Sequence, residues 1–158
     1  MDENVAGQIY ELEKDTFSDS WSYESIQQSG MLRHYHIYIA CKSNEYATVI
    51  SVDENMEIPA GFPESFAGYI ISTVVQDETE LQRIAVKEAY RGQGIGKALL
   101  EYYLSGMHGK CKKGFLEVRE SNISARALYE KKGYILIGKR NNYYTCPREN
   151  GLVYRIDL

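Results

Sequence analysis

Apolar residues recur along this chain with two different periods, and the switches between them outline its elements. In VAGQIYELEKDTF, Val5, Ile9, Leu12 and Phe17 fall near one helical face, and a second short helix is expected after Ser22, ending at Gly30. HYHIYIACK alternates and is rich in aromatic and β-branched residues, so residues 34–42 are expected as a strand. FAGYIISTVV, residues 66–75, is apolar almost throughout and reads as a strand central in its sheet. Between these two strands, SNEYATVISVDENMEIPAGFPES holds one strand-like piece, YATVISV; the rest is acidic, contains Pro59 and Pro63, and reads as a surface excursion.

The second half repeats a strand–helix succession. ELQRIAVKE is a strand, and after a glycine-rich stretch Ile95, Leu99, Tyr102 and Met107 give the spacing of a helix face. GFLEVRE is the next strand, and SNISARALYEKKG a helix with Ser121 or Asn122 as N-cap and Gly133 as its stop. YILIGKRNNYY and LVYRIDL, separated by TCPRENG, form a terminal antiparallel hairpin with Leu152, Tyr154, Ile156 and Leu158 on one face. Repeats, linkers and low-complexity tracts are absent, so residues 1–158 are expected to form one α/β domain.

Composition narrows the function. With 158 residues and 44% hydrophobic content the chain can bury one sizeable core. A net charge of −4 argues against a general nucleic-acid binder and leaves room for a basic partner. No apolar run approaches the roughly 20 residues that cross a bilayer, and the acidic start lacks the features of a signal peptide, so a cytoplasmic location without membrane attachment is expected. Cys41, Cys111 and Cys146 form no CxxC pair, and His34, His36 and His108 have no ligand spacing, so neither a disulfide framework nor a metal is expected.

The candidate chemistry starts at YRGQGIGKALLEYY, residues 90–103. A strand running through a glycine-rich turn into a helix aims free backbone N–H groups and the positive helix end at one spot, which suits a phosphate. A Walker loop needs Ser or Thr after the Lys, but Lys97 is followed by Ala98; a dinucleotide fingerprint needs glycine where Lys97 stands. A glycine-rich helix start that is only a tight turn is the bland alternative.

What remains, Arg91-Gly92-Gln93-Gly94-Ile95-Gly96, resembles the pyrophosphate-binding signature of the GCN5-related N-acetyltransferases, and the resemblance extends from about residue 66 to the C-terminus. It implies the acetyltransferase fold, a mixed, largely antiparallel central sheet flanked by helices. It also implies that Arg91 to Lys97 hold the pyrophosphate of acetyl-CoA and that Ile84, Ala85 and Val86 line its pantetheine arm. The family strand bearing IAV splays from the next strand, here FLEV, and the thioester enters the gap.

The block Glu117-Val118-Arg119-Glu120-Ser121-Asn122, with Ala127-Leu128-Tyr129-Glu130 and Gly133-Tyr134, resembles one branch, the bacterial ribosomal-protein-alanine N-acetyltransferases. That likeness implies Glu117 as general base, Asn122 as a hydrogen-bonding contact to the cofactor, and Tyr129 as the acid that protonates the sulfur. The bland alternatives are a solvated strand carboxylate, an N-cap and a helix-face tyrosine. EKDTFSDSWSYESI and RNNYYTCPRENGLVYRIDL resemble further parts of the branch, although Ser20 stands where Pro usually precedes the Trp. The implied acceptor is a basic protein N-terminus attacked directly on acetyl-CoA. A small-molecule amine acetyltransferase and a non-catalytic CoA-sensing module stay open. The excursion at 43–65, with Glu45, Asp53, Glu54, Glu57 and Glu64, departs most from the branch; it either steers a basic partner or is a solvated loop.

Overall fold

The structure, a computed structural model, describes residues 1–43, 47–52, 61, 62 and 64–158. Its four helices among these are α1 (Glu3–Thr16), α2 (Tyr23–Ser29), α3 (Ile95–Met107) and α4 (Ile123–Lys131). The strands are β1 (Tyr35–Lys42), β2 (Ala47–Ser51), β3 (Phe66–Val75), β4 (Glu78–Val86), β5 (Lys113–Arg119), β6 (Ile135–Thr145) and β7 (Arg148–Asp157). Most of the 43–65 excursion, including Glu45, Asp53, Glu54 and Glu57, lies outside the described residues.

Seven strands make one sheet in the order β2-β1-β3-β4-β5-β7-β6, and every neighbouring pair is antiparallel except β4 and β5. Apolar clusters cover both faces. Val5, Ile9, Leu12 and Ile26 of α1 and α2 pack with Ile37, Ile39, Tyr69 and Ile71, whereas Leu99, Leu100 and Tyr103 of α3 pack with Tyr38, Ala67, Ile70 and Tyr154. A strand covered on both faces needs apolar residues at successive positions, which is why FAGYII reads as a continuous run. Each fully buried Ile or Leu contributes roughly 1.5–3 kcal/mol.

Local chemistry sets the helix ends. Asp2 caps α1 by accepting from the amides of Asn4 at 2.8 Å and Val5 at 3.2 Å, and Ser22 caps α2 through the amide of Ser25 at 3.2 Å. Such a cap stabilises by about 1 kcal/mol.

Two expectations need correction. The buried stripe of α3 is centred on Leu99, Tyr103 and Met107, so Tyr102 lies at its margin, 43% exposed, with its ring edge-on to Tyr38 at 5.5 Å. The terminal hairpin is longer than TCPRENG suggested: strand pairing continues to Thr145↔Arg148, leaving only Cys146 and Pro147 in the turn.

The single parallel pair positions the site. β4 and β5 pair only from Glu78↔Lys113 to Leu81↔Leu116. Beyond that, β4 follows β3 as far as Gly68↔Val86 while β5 follows β7 as far as Arg119↔Gly151, so the sheet forks. The fork begins at a bulge, because Ile71 opposes Arg83 but Ser72 opposes Leu81, leaving Gln82 as the extra residue. Gly68 lets β3 hold the diverging β4 closely: a Cβ there would stand 2.5 Å from the carbonyl oxygen of Ala85.

Candidate active site

The glycine stretch closes the open end of β4. After a short 3-10 turn at Glu88–Tyr90, Gly92 and Gly94 adopt φ of 72° and 83°, a conformation that costs other residues strain, and α3 starts at Ile95. The amides of residues 92–97 find no backbone acceptor among the described residues, so together with the positive end of α3 they remain available to an anion. Arg91 and Gln93 brace the loop rather than project from it. The Arg91 Nε donates to the carbonyl oxygen of Val86 at 3.1 Å, and the Gln93 side-chain Nε2 donates to that of Ala89 at 2.9 Å. Gly96 packs against the chain: a Cβ would meet Val86 at 3.7 Å and Leu128 of α4 at 3.8 Å. Lys97 is solvated, 3.9 Å from Glu101.

Where β4 and β5 part, a cleft of about 430 Å³ opens, and Ile84, Glu117, Asn122 and Tyr129 all line it. Ile84 is the only member of the Ile84–Val86 trio whose side chain faces this cleft; Ala85 is buried against the α1 side, and Val86 packs towards α3. All three nevertheless lie on β4 beyond its last pair with β5, so the strand edge facing the fork has no strand partner there and suits an extended amide-bearing ligand, although the Val86 carbonyl oxygen already accepts from Arg91. The glycine loop follows directly from Val86, beyond this cleft.

Glu117 sits on β5 with a side chain 22% exposed, and its carboxylate accepts from the Arg140 guanidinium at 2.6 Å. Arg140 in turn lies over the Tyr143 ring at 4.0 Å, and a hydrogen bond to Glu117 raises the Tyr143 phenol above its usual range. A second carboxylate, Glu80 of β4, shares the cleft. Partial burial and then the charge of Glu117 raise its carboxyl above the usual value, although part of the side chain stays in solvent.

Tyr129 of α4 is buried, with its ring edge-on to Tyr134 at 5.9 Å. Burial pushes its phenol far above the usual range, so it keeps its proton at any ordinary pH. Among the described residues the hydroxyl has no hydrogen-bond partner. Asn122 is the N-cap of α4, its Oδ1 accepting from the Ala125 amide at 3.2 Å, while the two N–H donors of the side chain remain for the cleft. Capping and ligand contact are therefore compatible.

The cleft's rim comes from two segments far apart in sequence: Phe17, Ser18, Asp19 and Trp21 after α1, and Tyr143, Tyr144 and Pro147 in the terminal hairpin. Arg83 of β4 secures the first. It donates to the Asp19 carbonyl oxygen at 2.9 Å, lies 4.9 Å from the centre of the Phe17 ring, and is 3.8 Å from the buried carboxylate of Glu13. Glu13 also accepts from the Trp21 amide at 2.9 Å and from the Tyr69 hydroxyl. The sequence reading missed Glu80, Arg83, Arg140 and Tyr143; only the RNNYY resemblance pointed near the last two. No helix among the described residues is long and apolar enough to cross a membrane.

Comparison with known proteins agrees with this architecture. The family model described as acetyltransferase (GNAT) matches residues 6–134. A [ribosomal protein bS18]-alanine N-acetyltransferase of Haemophilus influenzae is 32% identical over 149 residues, covering 92% of this chain and 87% of its own. The protein of that name from Escherichia coli K12 is 40% identical over 98 residues, 58% of this chain and 64% of its own. A crystal structure of the ribosomal-protein-S18-alanine N-acetyltransferase from Escherichia coli superimposes with a TM-score of 0.76 at 27% identity, over 99% of this chain and 90% of that one. The chain belongs to the acetyltransferase (GNAT) family and is an acetyl-CoA-dependent N-acetyltransferase.

Proposed function

We propose that this enzyme acetylates the α-amine of a protein N-terminus, in particular the N-terminal alanine of a small-subunit ribosomal protein, and that residues 1–158 act as one catalytic domain. The observation that carries the proposal is the meeting of Glu117 and Tyr129, a carboxylate and a proton-bearing phenol, in one cleft at the strand fork. The names of the similar proteins from Haemophilus influenzae and Escherichia coli support the acceptor.

The free amides of residues 92–97 fit a pyrophosphate, and the unpaired edge at Ile84–Val86 fits a pantetheine arm. When bound, acetyl-CoA supplies the activated acetyl group. In this reading Glu117 takes a proton from the acceptor amine, oriented for that role by Arg140. Tyr129 holds the proton that the departing sulfur requires. Asn122 donates a hydrogen bond to the cofactor from the start of α4. Attack is direct: exposed Cys146 lies in the hairpin turn and has no assigned part in transfer. Three carboxylates, Asp19, Glu80 and Glu117, line the cleft beside Arg83 and Arg119, and Glu80 and Glu117 offer negative charge to an acceptor that arrives as a cation in the cytoplasm.

The test is mass-spectrometric detection of acetyl transfer across N-terminal peptides, polyamines and aminoglycosides. The proposal requires transfer to a peptide beginning with alanine; transfer to small amines alone would show a small-molecule enzyme. Acetyl-CoA binding without any transfer would leave a CoA-sensing module.

A further inference from the structure

The two rim segments are tied together through Arg119. Arg119 stands two residues beyond Glu117 on β5, so both side chains project from the same face of one rigid strand. Its Nη2 donates to Ser18 Oγ at 2.9 Å, on the loop after α1, and to the Cys146 carbonyl oxygen at 2.9 Å, in the terminal hairpin. Its Nη1 donates to the Pro147 carbonyl oxygen at 3.1 Å and lies 3.4 Å from Glu149 Oε2. The guanidinium also stacks 4.1 Å from the centre of the Tyr144 ring. Ser18 completes the link by donating to the same Cys146 carbonyl at 2.5 Å. Arg83 has no such reach; its contacts all go to the α1 side.

We infer that Arg119 is a positioning residue for the acceptor: it sets the width of the opening between the Ser18 loop and the Tyr144–Pro147 turn, in register with Glu117. The inference rests on the reading that the amine enters this cleft. Planarity matters here, because one guanidinium serves four oxygens from two segments at once, which a single ammonium cannot do in the same geometry. The cofactor elements stand apart from the tie. The glycine loop and Ile84 belong to β4 and its continuation, so losing Arg119 should widen the acceptor mouth and leave these intact.

The experiment measures kcat, KM for an alanine-first peptide, KM for acetyl-CoA and the melting temperature for the native enzyme, Arg119→Ala, Arg119→Lys, Ser18→Ala and the Ser18→Ala/Arg119→Ala double variant. Arg119→Ala should raise peptide KM about tenfold, equivalent to ~1.4 kcal/mol, with acetyl-CoA KM unchanged. Arg119→Lys should not restore it. Ser18→Ala should produce a smaller rise, and the double variant should fall short of the sum of the two single effects, because Ser18 and Arg119 bond each other and share the Cys146 carbonyl oxygen. An unchanged peptide KM, a parallel rise in both KM values, or full rescue by lysine would overturn the inference. If Arg119→Ala does not fold, Ser18→Ala alone decides, by its peptide KM. Native enzyme that ignores peptides but acetylates a small amine would refute the proposed acceptor, and the same comparison of KM values would then be made with that amine.

Discussion

Replacing Tyr129 with phenylalanine removes one oxygen atom and separates chemistry from folding. The ring is buried and packs edge-on against Tyr134, contacts that phenylalanine keeps. The hydroxyl has no hydrogen-bond partner among the described residues, so its loss breaks no bond and strands no other polar group. Deleting such a hydroxyl should change the unfolding free energy by less than about 1 kcal/mol, with either sign allowed. Activity should respond very differently. A positioned general acid contributes about 10²–10⁴-fold, so kcat should fall at least ~100-fold, a barrier increase of ~2.7 kcal/mol. The assay is release of the CoA thiol at saturating acetyl-CoA and peptide, paired with thermal melts. Because burial holds the phenol far above its ordinary range, the loss should be uniform across neutral pH. An unchanged kcat would refute the acid assignment, and so would a loss explained by a collapsed melting temperature.

Three further outcomes follow from particular contacts. Glu80 has a raised pKa in the fold, so its stabilising contribution is present below the unfolded value near pH 4.3 and is lost as pH rises through the folded value. Melting temperatures should therefore move in favour of Glu80→Gln, relative to native, as pH rises from about 4 towards neutrality, modestly because the side chain is partly solvated; a pH-independent difference would contradict this. In Gly94→Ala the new Cβ meets nothing within 4 Å, but φ of 83° makes the backbone itself strained by ~1–2 kcal/mol, lowering the melting temperature and raising acetyl-CoA KM. Gly68→Ala forces a Cβ to 2.5 Å from the Ala85 carbonyl oxygen and should cost about 1–3 kcal/mol in chemical denaturation, with weaker acetyl-CoA binding as β4 shifts.

The fold was legible wherever periodicity and end signals agreed. Asp2, Ser22 and Asn122 end-cap helices whose apolar stripes or flanking glycines mark them, and the doubly covered β3 announces itself as an uninterrupted apolar run. The fork was visible only through the family resemblance. Nothing in LQRIAV marks Gln82 as the bulged residue, since a one-residue slip is set by pairing with β3 rather than by local preference. The partners of Glu117 were hidden for the same reason. β6 pairs irregularly with β7 between Arg140 and Tyr144, with Asn142 at φ of 53°, and that irregularity brings Arg140 and Tyr143 to the carboxylate. Arg119, quoted within the matching block, gave no sequence signal of what it ties together, because its partners lie 28 and 101 residues away.

In the proposed reaction an α-amine, not a lysine side chain, receives the acetyl group. An α-amine has a pKa near 8 against about 10.4 for lysine, so far more of it is free to attack at neutral pH. The most direct measurement is fragment mapping by tandem mass spectrometry of a peptide that begins with alanine and carries an internal lysine, after incubation with enzyme and acetyl-CoA. Acetyl is expected on the terminal nitrogen alone, with the product greatly reduced in Glu117→Gln. Acetyl on the lysine, or an unmodified peptide beside an active small-amine reaction, would contradict this.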